Sequence, residues 1–253
     1  MQIYKALQER NKVGQKSLAV LIDPDKVTEH SSLLELLNMA KESCVDFFFV
    51  GGSLITQNNI PDIVGVIREG SNIPIVLFPG SNMHIDLSAD AILFLSLISG
   101  RNPELLIGQH VAAAPILKNS QMEVIPTGYV LVNSGRPTAA SYISNTTPIP
   151  AEKYSIAAST ALAGEMLGLK LIYLDAGSGA EAPVNAKMVS AVRRSVDAPL
   201  IVGGGINTPQ KAQEALEAGA DVIVIGNAIE KNPNLMIEVS EKVYDFNKSL
   251  NIH

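Results

Sequence analysis

The stretch KLIYLDAGSGAEAPVNAKMVSAVRRSVDAPLIVGGGINTPQKAQEALEAGADVIVIGNA, residues 170–228, carries the pattern that decides the fold. Three short apolar runs, KLIYLD (170–175), PLIVGG (199–204) and DVIVIG (221–226), are separated by two segments of helical spacing, NAKMVSAVRRS and TPQKAQEALEAG. Each run is nearly continuous Val, Ile and Leu rather than alternating, as a strand buried on both faces requires. Thr208 and Pro209 read as an N-cap followed by Pro in the first turn, and Gly219 as the stop of that helix. Strands alternating with helices in this way build a parallel sheet.

Outward from this stretch the same unit repeats. SLAVLI (17–22), VDFFFV (45–50), PIVLF (74–78), AILFLSLI (91–98) and GYVLVN (128–133) supply five more strands, eight in all. Helical patterns follow most of them: SSLLELLNMAKES, with Ser31 or Ser32 as its N-cap, PDIVGVIREG, NPELLIGQHVAAA, AEKYSIAASTALAGEMLG and the closing MIEVSEKVYDFNKSL. Eight such units in 253 residues predict a single (β/α)8 barrel domain over 1–253. The third unit departs from the pattern. SNMHIDLSADA is too short and irregular for a full helix, so a loop or reduced helix is expected there. An open doubly wound sheet would carry GxGxxG after the first strand, where this chain has LIDPDK. The longest irregular piece, NSGRPTAASYISNTTPIP (133–150), follows the fifth strand on the face where barrel enzymes work, and reads as a lid or substrate loop.

Composition narrows the function classes. With 47% apolar and 17% charged residues the chain builds a large core. A net charge of −6 argues against nucleic acid, which demands a basic face. It is compatible with a phosphorylated small molecule, whose charge backbone amides and Mg²⁺ can carry. The one cysteine, Cys44, lies in an apolar run and reads as a buried structural thiol; with no intrachain disulfide, a reducing cytoplasm fits. The N-terminal MQIYKALQERNK is amphipathic and charged, unlike a signal peptide, and no apolar stretch approaches the roughly 18–20 residues that span a bilayer.

Chemistry in such a barrel collects beyond the C-terminal strand ends. IVGGGIN (201–207) and VIGNAIE (224–230) are glycine-rich and run into helix starts, where free N–H groups cradle phosphate; Gly204, Gly205, Gly226 and Asn227 are the candidates. Strand 6 ends in YLDAGSGAEAP (173–183), which places Tyr173, Asp175, Ser178 and Gly179 in a polar cluster, with Asp175 suited to act as a base or to bind hydroxyls. IDPDK (22–26) and GGS (51–53) offer Asp23, Asp25 and Ser53, either as a Mg²⁺ site completed by phosphate oxygens and water or as turn caps. FPGSN (78–82) is a further amide-rich turn. The histidines, His30, His84, His110 and His253, lack ligand spacing for zinc.

Taken in order, IDPDK, VGGS, LFPGSN, YLDAGSG, VGGGIN and GNAIE resemble the geranylgeranylglyceryl phosphate synthases and their bacterial heptaprenylglyceryl counterparts, over essentially the whole chain. The loop SYISNTTPIP resembles the second of the two groups of that family. The resemblance implies a modified barrel with a reduced third helix. It implies Mg²⁺-dependent transfer of a polyprenyl group, geranylgeranyl in the first instance, from its diphosphate to a hydroxyl of sn-glycerol 1-phosphate, giving an ether lipid precursor. Asp23 and Ser53 match the Mg²⁺ ligands. Tyr173, Leu174, Asp175, Ala176, Gly177, Ser178 and Gly179 match the glycerol phosphate loop, with Gly204, Gly205, Gly226 and Asn227 around its phosphate. Asp175, the matching base, stands where most relatives carry Glu, and Leu21 where some carry Lys, so Lys26, Arg136 or a larger share for the metal is the expected substitute toward the diphosphate. A homo-oligomer, hexamer or dimer, is implied too, as is transient membrane contact for product release. The residues alone leave open another phosphosugar barrel enzyme, an isomerase or lyase, and a non-catalytic phosphoprenyl-binding protein.

Overall fold

The computed structural model describes residues 2–57 and 59–250. Eight parallel strands close into one barrel in chain order: β1 (Ser17–Ile22), β2 (Phe47–Gly52), β3 (Ile75–Pro79), β4 (Ala91–Leu97), β5 (Glu123–Leu131), β6 (Leu171–Asp175), β7 (Leu200–Gly203) and β8 (Val222–Ile225). Around and below it lie α1 (Ile3–Lys12), α2 (His30–Glu42), α3 (Ile60–Gly70), α4 (Gln109–Lys118), α5 (Ala139–Ser144), α6 (Tyr154–Met166), α7 (Ala186–Arg193), α8 (Pro209–Glu217), α9 (Asn227–Lys231) and α10 (Asn234–Leu250).

The continuous apolar runs are explained by two cores. Ala19, Phe47, Phe49, Val76, Leu93, Ile125, Ile201 and Val222 pack together inside the barrel. Their strand neighbours Leu18, Val20, Phe48, Leu77, Ile92, Val202 and Ile223 pack outward beneath the helices. Successive side chains point to opposite faces, so both faces must be apolar. Thr208 caps α8 by accepting from the Lys211 amide, and Gly219 follows that helix at φ +113.

The third unit is reduced as expected: only a 3-10 turn at Asn82–His84 joins β3 to β4. Four details differ from the sequence reading. Strand β5 starts at Glu123, five residues ahead of GYVLVN, because Pro126 interrupts the apolar pattern but keeps its place opposite Phe94. Helix α2 starts at His30 with no side-chain cap; Ser31 is already helical and its hydroxyl donates to Glu29. Cys44 is exposed rather than buried, because it takes the left-handed turn (φ 51) between α2 and β2. The loop after β5 contains α5, closed by a reciprocal Thr138–Ser141 cap. The charged N-terminal segment is α1, whose Ile3 and Leu7 enter the interior core and whose first amides donate to Glu123.

A buried charge cluster secures the N-terminal end of the barrel. Asp221 accepts from Lys16 Nζ at 3.1 Å, Arg193 Nη1 at 2.8 Å and the Leu200 amide at 2.8 Å. Removing one member strands the opposite charges out of water. Asp221→Ala is therefore expected to cost about 3–5 kcal/mol of stability, read from urea unfolding; a change under about 1 kcal/mol would show the cluster to be solvated.

Candidate functional site

The strand ends β1, β2, β6, β7 and β8 surround a polar cavity of about 570 Å³. Asp23, Ser53, Tyr173, Asp175, Gly177, Ser178, Gly179, Gly204, Gly205, Gly226 and Asn227 all line it, so eleven of the thirteen residues that the resemblance assigns converge. Leu174 and Ala176 do not. Their side chains belong to the outer core, because residues one apart on a strand point to opposite faces.

Asp175 ends β6 and is buried. Its Oδ2 accepts from the Tyr129 hydroxyl at 2.5 Å and its Oδ1 from the Gly177 amide at 2.7 Å. Burial holds this carboxyl above the ordinary carboxylate range, and the bonds from Tyr129 and Gly177 offset only part of that. Tyr129 is a functional residue the sequence reading missed. Its one signal was a hydroxyl inside the apolar run GYVLVN; register brings it to Asp175, since Leu131 of β5 pairs with Asp175 and Tyr129 with Tyr173.

Gly204 and Gly205 take φ +78 and +70, a backbone conformation that L side chains rarely adopt. A β-carbon at Gly204 would stand 2.5 Å from Asp175 Oδ1, and one at Gly205 2.6 Å from the Ala182 carbonyl oxygen. Backbone therefore replaces side chain around the cavity. Asn227 ties three loops together: its Nδ2 donates to Ser178 Oγ at 2.9 Å, and its Oδ1 accepts from Lys26 Nζ at 2.7 Å. Arg136 crosses from the β5 loop and donates to the Gly179 carbonyl at 2.7 Å. Lys26, Arg136 and Leu21 all line the cavity, so its cations come from beyond the strand positions.

Asp23, expected across the mouth from the glycine cradle, instead adjoins it: it follows β1 beside β8, accepts from the Asp25 amide at 3.2 Å and lies 3.7 Å from the Lys26 Nζ that also bonds Asn227. Burial pushes its carboxyl up, and Lys26 pulls it partly back. Asp25 turns away: it accepts from Thr56 and Gln57 and braces the β1 and β2 loops. Among the described residues no three His, Cys, Asp or Glu side chains converge as ligands, and His253 lies outside them. A half-buried carboxylate and a hydroxyl lining one cavity, Asp23 and Ser53, are ligand types that suit a hard cation taking its remaining oxygens from phosphate and water.

A second cavity of about 390 Å³ adjoins the first. Phe78, Leu95, Leu97, Leu105, Tyr129 and Ile143 give it an apolar wall, and Gly52, Ser53 and Phe78 line both cavities. The loop expected to be a lid supplies Ala140, Ile143 and Ser144 of α5 to this wall.

The model of the PcrB family matches residues 11–244. The chain belongs to the PcrB family. Among its relatives, the geranylgeranylglyceryl phosphate synthase of Spirosoma linguale is 56% identical over 237 residues, covering 94% of this chain and 95% of that protein. The synthase of the same name from Korarchaeum cryptofilum is 42% identical, over 93% of this chain and 97% of that one. A solved structure of the Thermoplasma acidophilum (S)-3-O-geranylgeranylglyceryl phosphate synthase, in complex with its substrate sn-glycerol-1-phosphate, superposes with a TM-score of 0.90 at 30% identity, covering 97% of this chain and 99% of that one. This PcrB-family chain is accordingly an enzyme of the synthase type. Thiamine phosphate pyrophosphorylase of Pyrococcus furiosus, 15% identical with a TM-score of 0.58 over 94% of this chain and 98% of its own, shares the fold alone.

The glycine cradle makes a direct prediction. Crystals grown in sulfate are expected to hold the anion on the amides of Gly204, Gly205, Gly226 and Asn227. Gly205→Val should abolish it, since the added side chain meets the Ala182 backbone at a strained φ. Water alone at these amides, together with full activity of Gly205→Val, would overturn the assignment.

Proposed function

We propose that this enzyme transfers a polyprenyl group, geranylgeranyl in the first instance, from its diphosphate to sn-glycerol 1-phosphate, forming an ether lipid precursor with Mg²⁺ as cofactor. The observation that carries this reading is the pair of cavities sharing the wall Gly52–Ser53–Phe78, one polar and glycine-lined, the other apolar. A phosphosugar isomerase or lyase needs the first and has no use for the second. The names of the relatives and the acceptor bound in the Thermoplasma acidophilum structure support the same substrates.

In this reading the acceptor phosphate lies on the Gly204, Gly205, Gly226 and Asn227 backbone, and Ser178 and Tyr173 face its glycerol. Asp175 receives the proton of the attacking hydroxyl. Burial, by raising the proton affinity of this carboxyl, makes its ionised form a stronger base. The hydroxyl oxygen bonds to the allylic carbon as the bond from that carbon to the diphosphate breaks, the electron pair leaving with the diphosphate. Lys26 and Arg136, at the mouth of the polar cavity, offset the phosphate charges in place of the Lys that Leu21 replaces. Asp23 and Ser53 would hold Mg²⁺, which supplies charge neutralisation to the departing diphosphate. A homo-oligomer belongs to the same reading. Ile156, Met166 and the following Leu167 leave exposed apolar surface along α6 that a second copy would cover. Transient contact with lipid for product release belongs to the reading as well; no helix among the described residues is long and apolar enough to cross a membrane.

The direct assay incubates labelled sn-glycerol 1-phosphate with prenyl diphosphates of increasing length and extracts the lipid product. Transfer to the extract supports the reading; binding of both substrates without product would make the chain a carrier. Asp175→Asn is expected to lower turnover by about 10²–10⁴, with the donor KM little changed, and Asp175→Glu to retain substantial activity. The active form of Asp175 is the ionised one. Wild-type kcat/KM should therefore fall as pH drops through a value above the ordinary carboxylate range, and Tyr129→Phe, which removes a hydrogen bond to the charged form, should move that limb to higher pH. Near wild-type turnover by Asp175→Asn at saturating acceptor would make Asp175 a hydroxyl-binding group only.

The metal reading is tested at Asp23. Asp23→Asn is expected to abolish Mg²⁺-dependent turnover while calorimetry still detects the acceptor, because the glycine cradle offers backbone amides to which the Asp23 carboxylate contributes nothing. Equal loss of acceptor affinity would refute the site map.

A further inference from the structure

Phe78 ends the inner row of β3 at the seam of the two cavities and lines both. Its ring centroid lies 5.3 Å from that of Tyr173, tilted by 31°, and 5.9 Å from that of Tyr129, nearly edge-on at 68°. Tyr129 and Tyr173 stand edge to face at 5.6 Å. The chain has only six Phe and six Tyr and no Trp, yet three of these rings, from three different strands, meet at this seam. The backbone is built to keep Phe78 there. A β-carbon at Gly51 would overlap the Phe78 carbonyl, so only glycine lets β2 approach this closely.

The charges around the seam are arranged for a cation. The apolar cavity has no Lys or Arg in its wall. Lys26 and Arg136 lie in the polar cavity, where their side chains bond Asn227 and the Gly179 carbonyl. The acidic group bonded to the cluster is the Asp175 carboxyl, which accepts from Tyr129 at 2.5 Å. A phenol that donates a hydrogen bond to a carboxylate gains electron density in its ring, which strengthens its negative π face. Aromatic faces attract cations electrostatically, and most strongly where water is excluded.

We infer that Phe78, backed by Tyr173 and Tyr129, is a catalytic residue whose π face stabilises the positive charge developing on the allylic carbon of the donor. This rests on the prenyl-transfer reading. In that step the bond from the allylic carbon to the diphosphate oxygen breaks and its electron pair leaves with the diphosphate. The carbon is electron-poor until the acceptor oxygen bonds to it and the acceptor proton passes to Asp175. The seam is where the apolar chain and the acceptor hydroxyl meet, so the ring faces the carbon while it is most positive. A charge that exists only in the transition state is what a fixed π face can stabilise selectively.

The test replaces Phe78 with mono-, di- and trifluorophenylalanine, which keep ring shape while draining the π face. Single-turnover rates are measured by rapid quench, and affinity is measured with an unreactive thiolodiphosphate analogue of the donor. The logarithm of the rate is expected to fall steadily with each fluorine, to a total on the order of tenfold to thirtyfold, at nearly constant analogue affinity. Phe78→Leu, apolar but without a π system, should fall at least as far. Transfer by the wild type with a flat fluorine series would overturn the inference and leave Phe78 as packing. No transfer by the wild type with any prenyl diphosphate would overturn the functional reading, and the inference with it.

Discussion

A carboxylate held out of water at the end of β6 sets the terms for the rest of the active end. A buried carboxyl must have its oxygens satisfied, and the barrel supplies two donors to Asp175, the Tyr129 hydroxyl and the Gly177 amide. Each demands something of its surroundings. The Tyr129 bond requires β5 and β6 to keep a register that pairs Tyr129 with Tyr173. The Gly177 bond requires a sharp turn directly after the strand, which Gly177 makes at φ +90. Gly204 of the neighbouring loop must then lack a side chain, or its β-carbon would strike the same carboxylate. A buried carboxyl, a loop of bare backbone and an aromatic seam are thus parts of one arrangement around Asp175.

The two ends of the barrel divide the work. At the N-terminal end Asp221 is saturated by Lys16, Arg193 and the Leu200 amide, and α1 closes the interior core. Those charges are fully paired within the protein, leaving nothing for a ligand. At the C-terminal end Asp23, Lys26 and Asp175 line an open cavity, and Asp23 bears a burial cost that its neighbours only partly offset. Positive-φ positions occur at both ends, Cys44 and Gly219 at the first and Gly204 and Gly205 at the second, but only at the second do they bare backbone toward a cavity.

The mouth is divided as well. The half formed by the β1, β6, β7 and β8 ends carries Asp23, Lys26, Asp175, Glu181 and Glu230, whereas the apolar cavity contributed by β2 to β5 is lined by a single charged residue, Glu104. A substrate pair with one phosphorylated polar member and one long apolar member matches that division. The reduced third unit contributes to it. With only a 3-10 turn between β3 and β4, Pro79, Gly80 and Ser81 line the apolar cavity directly.

The sequence by itself determined the barrel. Continuous apolar runs separated by helical spacing have one economical solution in 253 residues, and the weak third unit was visible because SNMHIDLSADA lacks helical periodicity. It also determined the phosphate-type loops, since paired glycine-rich strand ends are local features readable without coordinates. What local pattern could not carry were facts of register and facing. Leu174 and Ala176 sit in the right motif but point into the outer core, because a strand gives every second side chain to the other face. Cys44 looked buried in an apolar run, yet the chain turns there before the strand begins. Tyr129 and Phe78 belong to runs that read as plain core, 46 residues before Asp175 in the case of Tyr129. Only closure of the sheet brings β3, β5 and β6 to one seam, because contact across a barrel depends on stagger between strands, which no single segment of sequence encodes.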